Sequence, residues 1–227
     1  MDQFRYDQFC PLARATEILG HRWVLLILRE LFVGPQRFSD LRRRLPGVSS
    51  SVLAGRMAAL ESQGVVVRRE LAPPTAITVY ELTADGRALE PVLIALNRWG
   101  ARFVMPPLPG DHVEPDWLGM AVRAFGRPGP TPARRFELCP RAGEREAVVR
   151  VAGGPDGTHP IDDDLPVDVR IRAPVMVVMG LMSGMLSPAA ALAADDVQVE
   201  GDSEALSDLA GLFEMELEPN TPKGTSP

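Results

Sequence analysis

Apolar residues recur along this chain with two different periods, and each change of period marks an element. In residues 46–62 (PGVSSSVLAGRMAALES), Val48, Val52, Leu53, Met57 and Leu60 fall near helical spacing and are expected to face a core. Ser49 stands where an N-cap is needed, and Gly64 ends the helix where the backbone turns left-handed. Ser50, Ser51, Ala54, Gly55 and Ala58 make up a second face of small side chains. A helix with such a face can enter a DNA major groove, although an ordinary amphipathic helix fits the same residues. Upstream, residues 37–45 (RFSDLRRRL) predict a short helix capped by Ser39, and Pro46 with Gly47 predicts a tight turn, which together form a helix-turn-helix. Downstream the period falls to two. Residues 65–71 and 77–82 predict strands joined by Ala72-Pro73-Pro74-Thr75-Ala76, a hairpin placed as a wing.

The same pattern extends in both directions. Residues 1–9 form a polar and aromatic arm, and Pro11 opens a helix over 11–19 that Gly20 breaks. Residues 22–32 (RWVLLILRELF) are apolar on most sides: Trp23, Leu26, Ile27, Glu30 and Leu31 share one, and Leu25 and Leu28 lie on another. After the wing, Thr83 caps a long helix over 84–103 carrying Leu89, Val92, Leu93, Leu96 and Trp99, with a kink at Pro91. A terminal helix this apolar has little left to pack on in a small domain, and its expected use is dimerisation together with the first helix.

Residues 105–113 (MPPLPGDHV) read as a Pro-rich linker. Beyond it, helices are predicted over 115–125, 174–186, 189–194 and 204–215, and strands over 134–138, 147–151, 167–172 and 197–200. The boundaries are therefore 1–104, 105–113, 114–216 and a disordered tail over 217–227. The second domain mixes strands with helices, and the whole chain falls in the α+β class.

Charge sharpens this division. The net charge of -6 looks unsuited to nucleic acid, yet residues 1–104 carry 14 Arg against 10 acidic residues. The acidic excess lies wholly in residues 105–227, with 10 basic against 20 acidic. Two cysteines are too few for a disulfide framework, and no apolar run is long enough to span a bilayer. With no signal peptide evident, a cytoplasmic location without membrane attachment is expected.

Cys10 and Pro11, Ile18-Leu19-Gly20, Trp23, Arg37-Phe38-Ser39-Asp40-Leu41, Pro46-Gly47-Val48-Ser49, Leu53, Arg56, Gly64, Tyr80-Glu81-Leu82-Thr83, Gly86 and Trp99-Gly100 stand in one order over residues 8–103. In that order they resemble the HxlR family of winged-helix transcription regulators related to MarR. The resemblance implies a homodimer on a palindromic double-stranded operator. Family wings often carry a basic residue just after the Pro-Pro; here Thr75 and Ala76 stand there, leaving Arg68 and Arg69 at the wing's base. The order of elements over 114–216, from Asp168-Val169-Arg170-Ile171 to Leu206–Phe213, is similar to a sterol-carrier-protein-like domain. That similarity implies an apolar tunnel for a lipid-like effector.

The candidate DNA contacts are Arg37, Arg43, Ser49, Ser50, Ser51, Ala54, Arg56, Arg68 and Arg69. The whole basic run Arg42, Arg43 and Arg44 is placed to meet phosphates. Met176, Met179, Met182 and Met185 are the candidate ligand-binding residues, since methionine adapts to irregular cavities; ordinary core filling is the alternative. Cys10 precedes a helix whose amides could lower its thiol pKa, and in some HxlR relatives the matching cysteine senses oxidants. No resolving cysteine lies nearby, so an inert thiol is the preferred reading. Asp162, Asp163 and Asp164 lack the pattern of a calcium loop, and the three histidines lack zinc spacing. No phosphate loop or nucleophile elbow appears, so neither a cofactor nor an enzyme is expected. A lipid carrier that uses its winged helix only to dimerise is the rival reading.

Overall fold

Pro11 occupies the first turn of α1 (Pro11–Leu19), where its missing N–H costs nothing. The computed structural model describes residues 5–71 and 77–215. Before α1, the Tyr6 N–H donates to Glu17 Oε1 at 2.7 Å, docking the arm on the helix. That bond and Arg14 hold the Glu17 carboxyl below its usual range. Then follow α2 (Val24–Val33), α3 (Phe38–Arg44), α4 (Ser50–Ser62), β1 (Val66–Glu70), β2 (Thr78–Leu82), α5 (Ala84–Arg87) and α6 (Glu90–Gly100). The chain divides into two units, Met1–Leu93 and Ile94–Pro227, with the division inside α6.

The first unit is a winged helix-turn-helix. Its core is made by Ile27, Leu28 and Leu31 of α2, Leu41 and Leu45 around α3, Leu53, Met57 and Leu60 of α4, and Val66, Val79 and Leu82 of the hairpin. β1 and β2 pair antiparallel with Val66 opposite Leu82 and Glu70 opposite Thr78. Gln36 forms an isolated bridge on the other edge of β2: its N–H donates to the Tyr80 carbonyl at 3.0 Å, and the Tyr80 N–H donates back at 2.8 Å. Gly64, at φ 70°, makes the turn from α4 into β1. The expected hairpin loop at residues 72–76, with Thr75 and Ala76, lies outside the described residues, as does the tail at 217–227.

Three expectations in this unit need correction. Ser39 is not the cap of α3; Arg37 holds that position and no side chain caps the helix. Val52 is exposed, because Leu53, Met57 and Leu60 already complete the i, i+4, i+7 stripe and a residue beside them turns away. Pro91 does more than kink a helix. Residues 84–103 form α5, a break at Ala88 and Leu89, α6 and a 3-10 turn over Ala101–Phe103, because proline is tolerated only near a helix start. Of the apolar residues named on this segment, Leu93 is buried, and Val92, Leu96 and Trp99 are exposed.

The second unit opens with a 3-10 turn (Pro115–Trp117) and α7 (Leu118–Phe125). It continues through β3 (Arg135–Ala142), β4 (Arg145–Glu146), β5 (Val149–Ala152), β6 (His159–Pro160), β7 (Val169–Pro174), α8 (Val175–Met182), α9 (Pro188–Leu192) and β8 (Gln198–Gly201). It closes with Ser203–Ala205, α10 (Leu206–Leu209) and Ala210–Leu212. The sheet order is β6-β5-β3-β7-β8, with β4 against the end of β3. Only β3 and β7 pair in parallel, Phe136 opposite Val169 and Leu138 opposite Ile171.

One sheet face, from Phe136, Leu138, Val151, Val169 and Ile171, packs on Leu118, Val122, Val178, Leu181, Leu206 and Leu209 of the helices. The other carries an ion-pair lattice. Glu137 meets Arg150 at 3.0 Å and Arg170 at 2.5 Å, Arg170 meets Glu200 at 2.9 Å, and Arg172 meets Glu146 at 2.8 Å. The predicted helix over 204–215 is broken into short turns whose end runs back beside α7. There Arg127 N donates to Leu212 O at 2.9 Å, and Glu214 N donates to Phe125 O at 2.7 Å. Phe213 and Met215 thereby enter the core.

Candidate nucleic-acid interface

Ser49 begins the interface from the backbone up. Its extended conformation starts α4, and its Oγ accepts the Val52 N–H at 3.3 Å, satisfying one of the orphan amides of the first turn. Ser51 Oγ lies 3.2 Å from Ser49 Oγ, and Arg42 Nη1 donates to Ser50 Oγ at 3.2 Å. The two helices of the motif are therefore tied at the point where α4 begins. Ser49, Ser50, Ser51 and Ala54 are all exposed, while Leu53 and Met57 on the opposite side are buried. This leaves a helical face of small side chains beside the exposed Val52, a shape that fits a groove.

The arginines separate into two groups. Arg37 is exposed at the start of α3. Arg56 is half-buried on α4, its Nε shielded from solvent with no hydrogen-bond partner among the described residues. Arg68 is exposed on β1 and makes no ion pair among the described residues. Arg43 is held by Asp40 at 3.2 Å one turn away, and Arg69 by Glu81 across the hairpin at 3.0 Å. Both pairs are solvent-exposed and weak enough to yield to a phosphate.

Arg44 departs from the expected phosphate-contacting run. It is buried, and its Nε donates to Glu30 Oε2 at 2.5 Å, with Arg29 on the other carboxylate oxygen at 2.7 Å. A charge lodged this deep needs its partner, so Arg44 locks α3 to α2 and does not reach a ligand. Glu30 on the mostly apolar α2 signals that a counter-charge must be buried with it, but not which arginine supplies it.

The remaining candidates lie apart from this surface. Cys10 is half-buried directly before α1 and caps nothing with its side chain. Cys139 is buried in β3; burial pushes its thiol up, and the Glu137 carboxylate adds to the effect. Of the four methionines, Met182 is buried in the second core and Met179 packs against it, while Met176 and Met185 are exposed. The four therefore do not line one enclosed space. Asp163 pairs with Arg135 and with Arg150. Among the described residues no cluster of acidic, histidine and cysteine side chains could hold a metal, and no helix is long and apolar enough to cross a membrane.

The comparisons agree with this geometry. The HxlR-like helix-turn-helix family matches residues 18–107, and the SCP-2 sterol transfer family matches residues 135–214. The uncharacterized HTH-type transcriptional regulator YvaP of Bacillus subtilis (strain 168) is 40% identical over 102 residues, 44% of this chain and 94% of that protein. The HTH-type transcriptional regulator YodB of the same organism is 37% identical over 109 residues, 47% of this chain and 94% of its own. An uncharacterized HTH-type regulator of Synechocystis, sll1512, is 38% identical over 102 residues, 44% of this chain and 75% of its own. The solved reduced form of YodB covers 44% of this chain and all of its own at 33% identity, with a TM-score of 0.39. Matched over nearly the whole length of such regulators, this chain belongs to the HxlR-like helix-turn-helix family of transcriptional regulators, with an SCP-2-type domain following its DNA-binding domain.

Proposed function

We propose that the protein acts as a homodimer that reads a near-palindromic operator with α4, and that an apolar small molecule in the C-terminal domain adjusts its affinity for DNA. The observation that carries this reading is the exposed ridge from Ser49 to Ala54, backed by the buried Leu53, Met57 and Leu60. Such a ridge costs little to desolvate and leaves base edges within reach of Ser50 and Ser51, while Arg37, Arg43, Arg56, Arg68 and Arg69 meet phosphates. Dimerisation is supported by the apolar side chains that α1 and α6 leave uncovered, Leu12 at 74% exposure and Trp99 at 57%. A two-fold dimer places its α4 helices in successive major grooves, about 34–36 Å apart, so the operator repeats its half-site with inverted polarity. Residues 1–104 then read and dimerise, 105–113 link, and 114–216 take the ligand.

A different reading, a lipid carrier that dimerises through its winged helix, draws on the SCP-2 match alone. One experiment separates the two. The full chain is mixed with sheared genomic DNA, and retained fragments are sequenced at rising salt. A regulator enriches fragments sharing an inverted repeat, and its retention falls linearly with log salt. A carrier retains nothing that salt displaces, and that result overturns the regulator reading.

A further inference from the structure

The turn leading into α2 holds a tryptophan where a glycine would sit without strain. The Val24 N–H donates to the His21 carbonyl at 3.1 Å, closing a four-residue turn, and Trp23 at its third position has φ 80° and ψ -21°. That is the corner of a type II turn at which a left-handed residue is required, and bulky side chains are rare there. Surroundings must hold such a residue in place. Two contacts do so. A methyl group on Gly47 would stand 3.7 Å from the outer edge of the Trp23 ring, so the indole rests against the turn between α3 and α4. On the indole, the Arg22 guanidinium lies 5.0 Å from a ring centroid.

Arg22 is exposed and makes no ion pair among the described residues, whereas Arg43, Arg44 and Arg69 each have a carboxylate. A free arginine on a surface ordinarily samples many rotamers. Stacked on an aromatic face it has already given up much of that freedom, so a ligand that takes it up meets a smaller ordering cost. Its position is fixed relative to Gly47, two residues before the Ser49 cap of α4.

We propose that Arg22 is a further DNA contact, clamping a backbone phosphate beside the helix-turn-helix turn, and that Trp23 is the positioning residue that holds it there. This rests on the operator-binding reading and adds an anchor that neither the basic run of α3 nor the wing supplies. The strained turn fits the assignment: a glycine would relax the backbone but leave Arg22 without its platform.

The test uses the full chain and a labelled duplex recovered from the retained genomic fragments, titrated by fluorescence anisotropy at several salt concentrations. Arg22→Ala is expected to flatten the plot of log affinity against log salt by about 0.9 for each phosphate that arginine neutralises. The ranking of duplexes by sequence should stay unchanged, because phosphate contacts carry no base information. Trp23→Gly is expected to lose the same slope with no fall in thermal stability from the backbone at that turn, whereas Trp23→Phe keeps a ring and most of the slope. An unchanged slope for Arg22→Ala, with the unaltered chain still released by salt, overturns this proposal and leaves the regulator reading standing. A full slope for folded Trp23→Gly overturns the positioning role. If the unaltered chain shows no salt-sensitive retention, the regulator reading falls and this proposal falls with it.

Discussion

The Ser50 hydroxyl already accepts a bond from Arg42, while Ser51 meets the Ser49 hydroxyl, so neighbouring serines on one ridge differ in their freedom to meet a base. Ser51→Ala is therefore expected to alter preference among operator variants, and Ser50→Ala in addition to loosen α3 from the start of α4. Binding arrays of single-base variants would separate the two. Arg56 sits on the same helix with its Nε shielded, and its role is read from salt. Arg56→Ala should weaken binding to every sequence and lower the salt slope by about one. If Arg56 only buttresses the helix, affinity falls while the slope stays. Cys10 calls for a different test. It stands half-buried at the N-cap position of α1 without a side-chain cap bond, and Cys139 lies buried in the sheet of the second unit. Cys10→Ser should leave DNA affinity and its response to diamide unchanged; release by oxidant that disappears in the serine variant would make it a sensor.

Elements whose pattern repeats were legible from sequence. The helices at 11–19 and 50–62 and both wing strands stand within one residue of expectation, because caps, prolines and period all agreed. The second unit was legible in order but not in detail. β4 and β6 are two residues long, too short for any periodicity to register. The closing helix broke because residues 210–215 are drawn back to pair with α7, a tertiary demand that no local signal carries. The ridge of α4 could be read directly, whereas Arg44 could not, since a run of three arginines looks uniform until burial picks one out. Gly86 shows how packing fixes an element. A methyl group there would run into the Val65 carbonyl, so α5 can lie on the start of β1 only with glycine at this point. Gly86→Ala should destabilise the first unit by about 1–3 kcal/mol, seen as a lower midpoint in thermal unfolding.

Across the whole molecule, residues 1–104 carry a basic excess and residues 105–227 an acidic one. An excess of like charge disfavours nucleic acid, so a fragment of residues 1–104 is expected to bind DNA at least as well as the full chain, as anisotropy on both would show. An apolar fluorescent probe added to the full chain should bind in the second unit and be displaced by lipid-like competitors, at about 25 cal/mol per Å² of area removed from water. No displaceable probe would reduce that unit to a scaffold. Any effector can change operator affinity only as far as it binds the DNA-competent and free states differently.

The return of residues 212–214 to α7 bears on the order of events during synthesis. The helix-turn-helix and wing lie within the unit Met1–Leu93, and domains fold as units in the order they emerge, so this unit is expected to form first. Phe213 and Met215 are the last buried residues among those described, and Phe213 bridges to Gly126, so the core of the second unit is expected to complete only when they arrive. The helix-turn-helix is then expected to form while its companion is still open. Chains stopped short of residue 212 are expected to resist proteolysis through the first unit and be cleaved in the second, as limited digestion of a truncation series would reveal. Translation that ends early is therefore expected to release a helix-turn-helix without the unit proposed to take the small molecule.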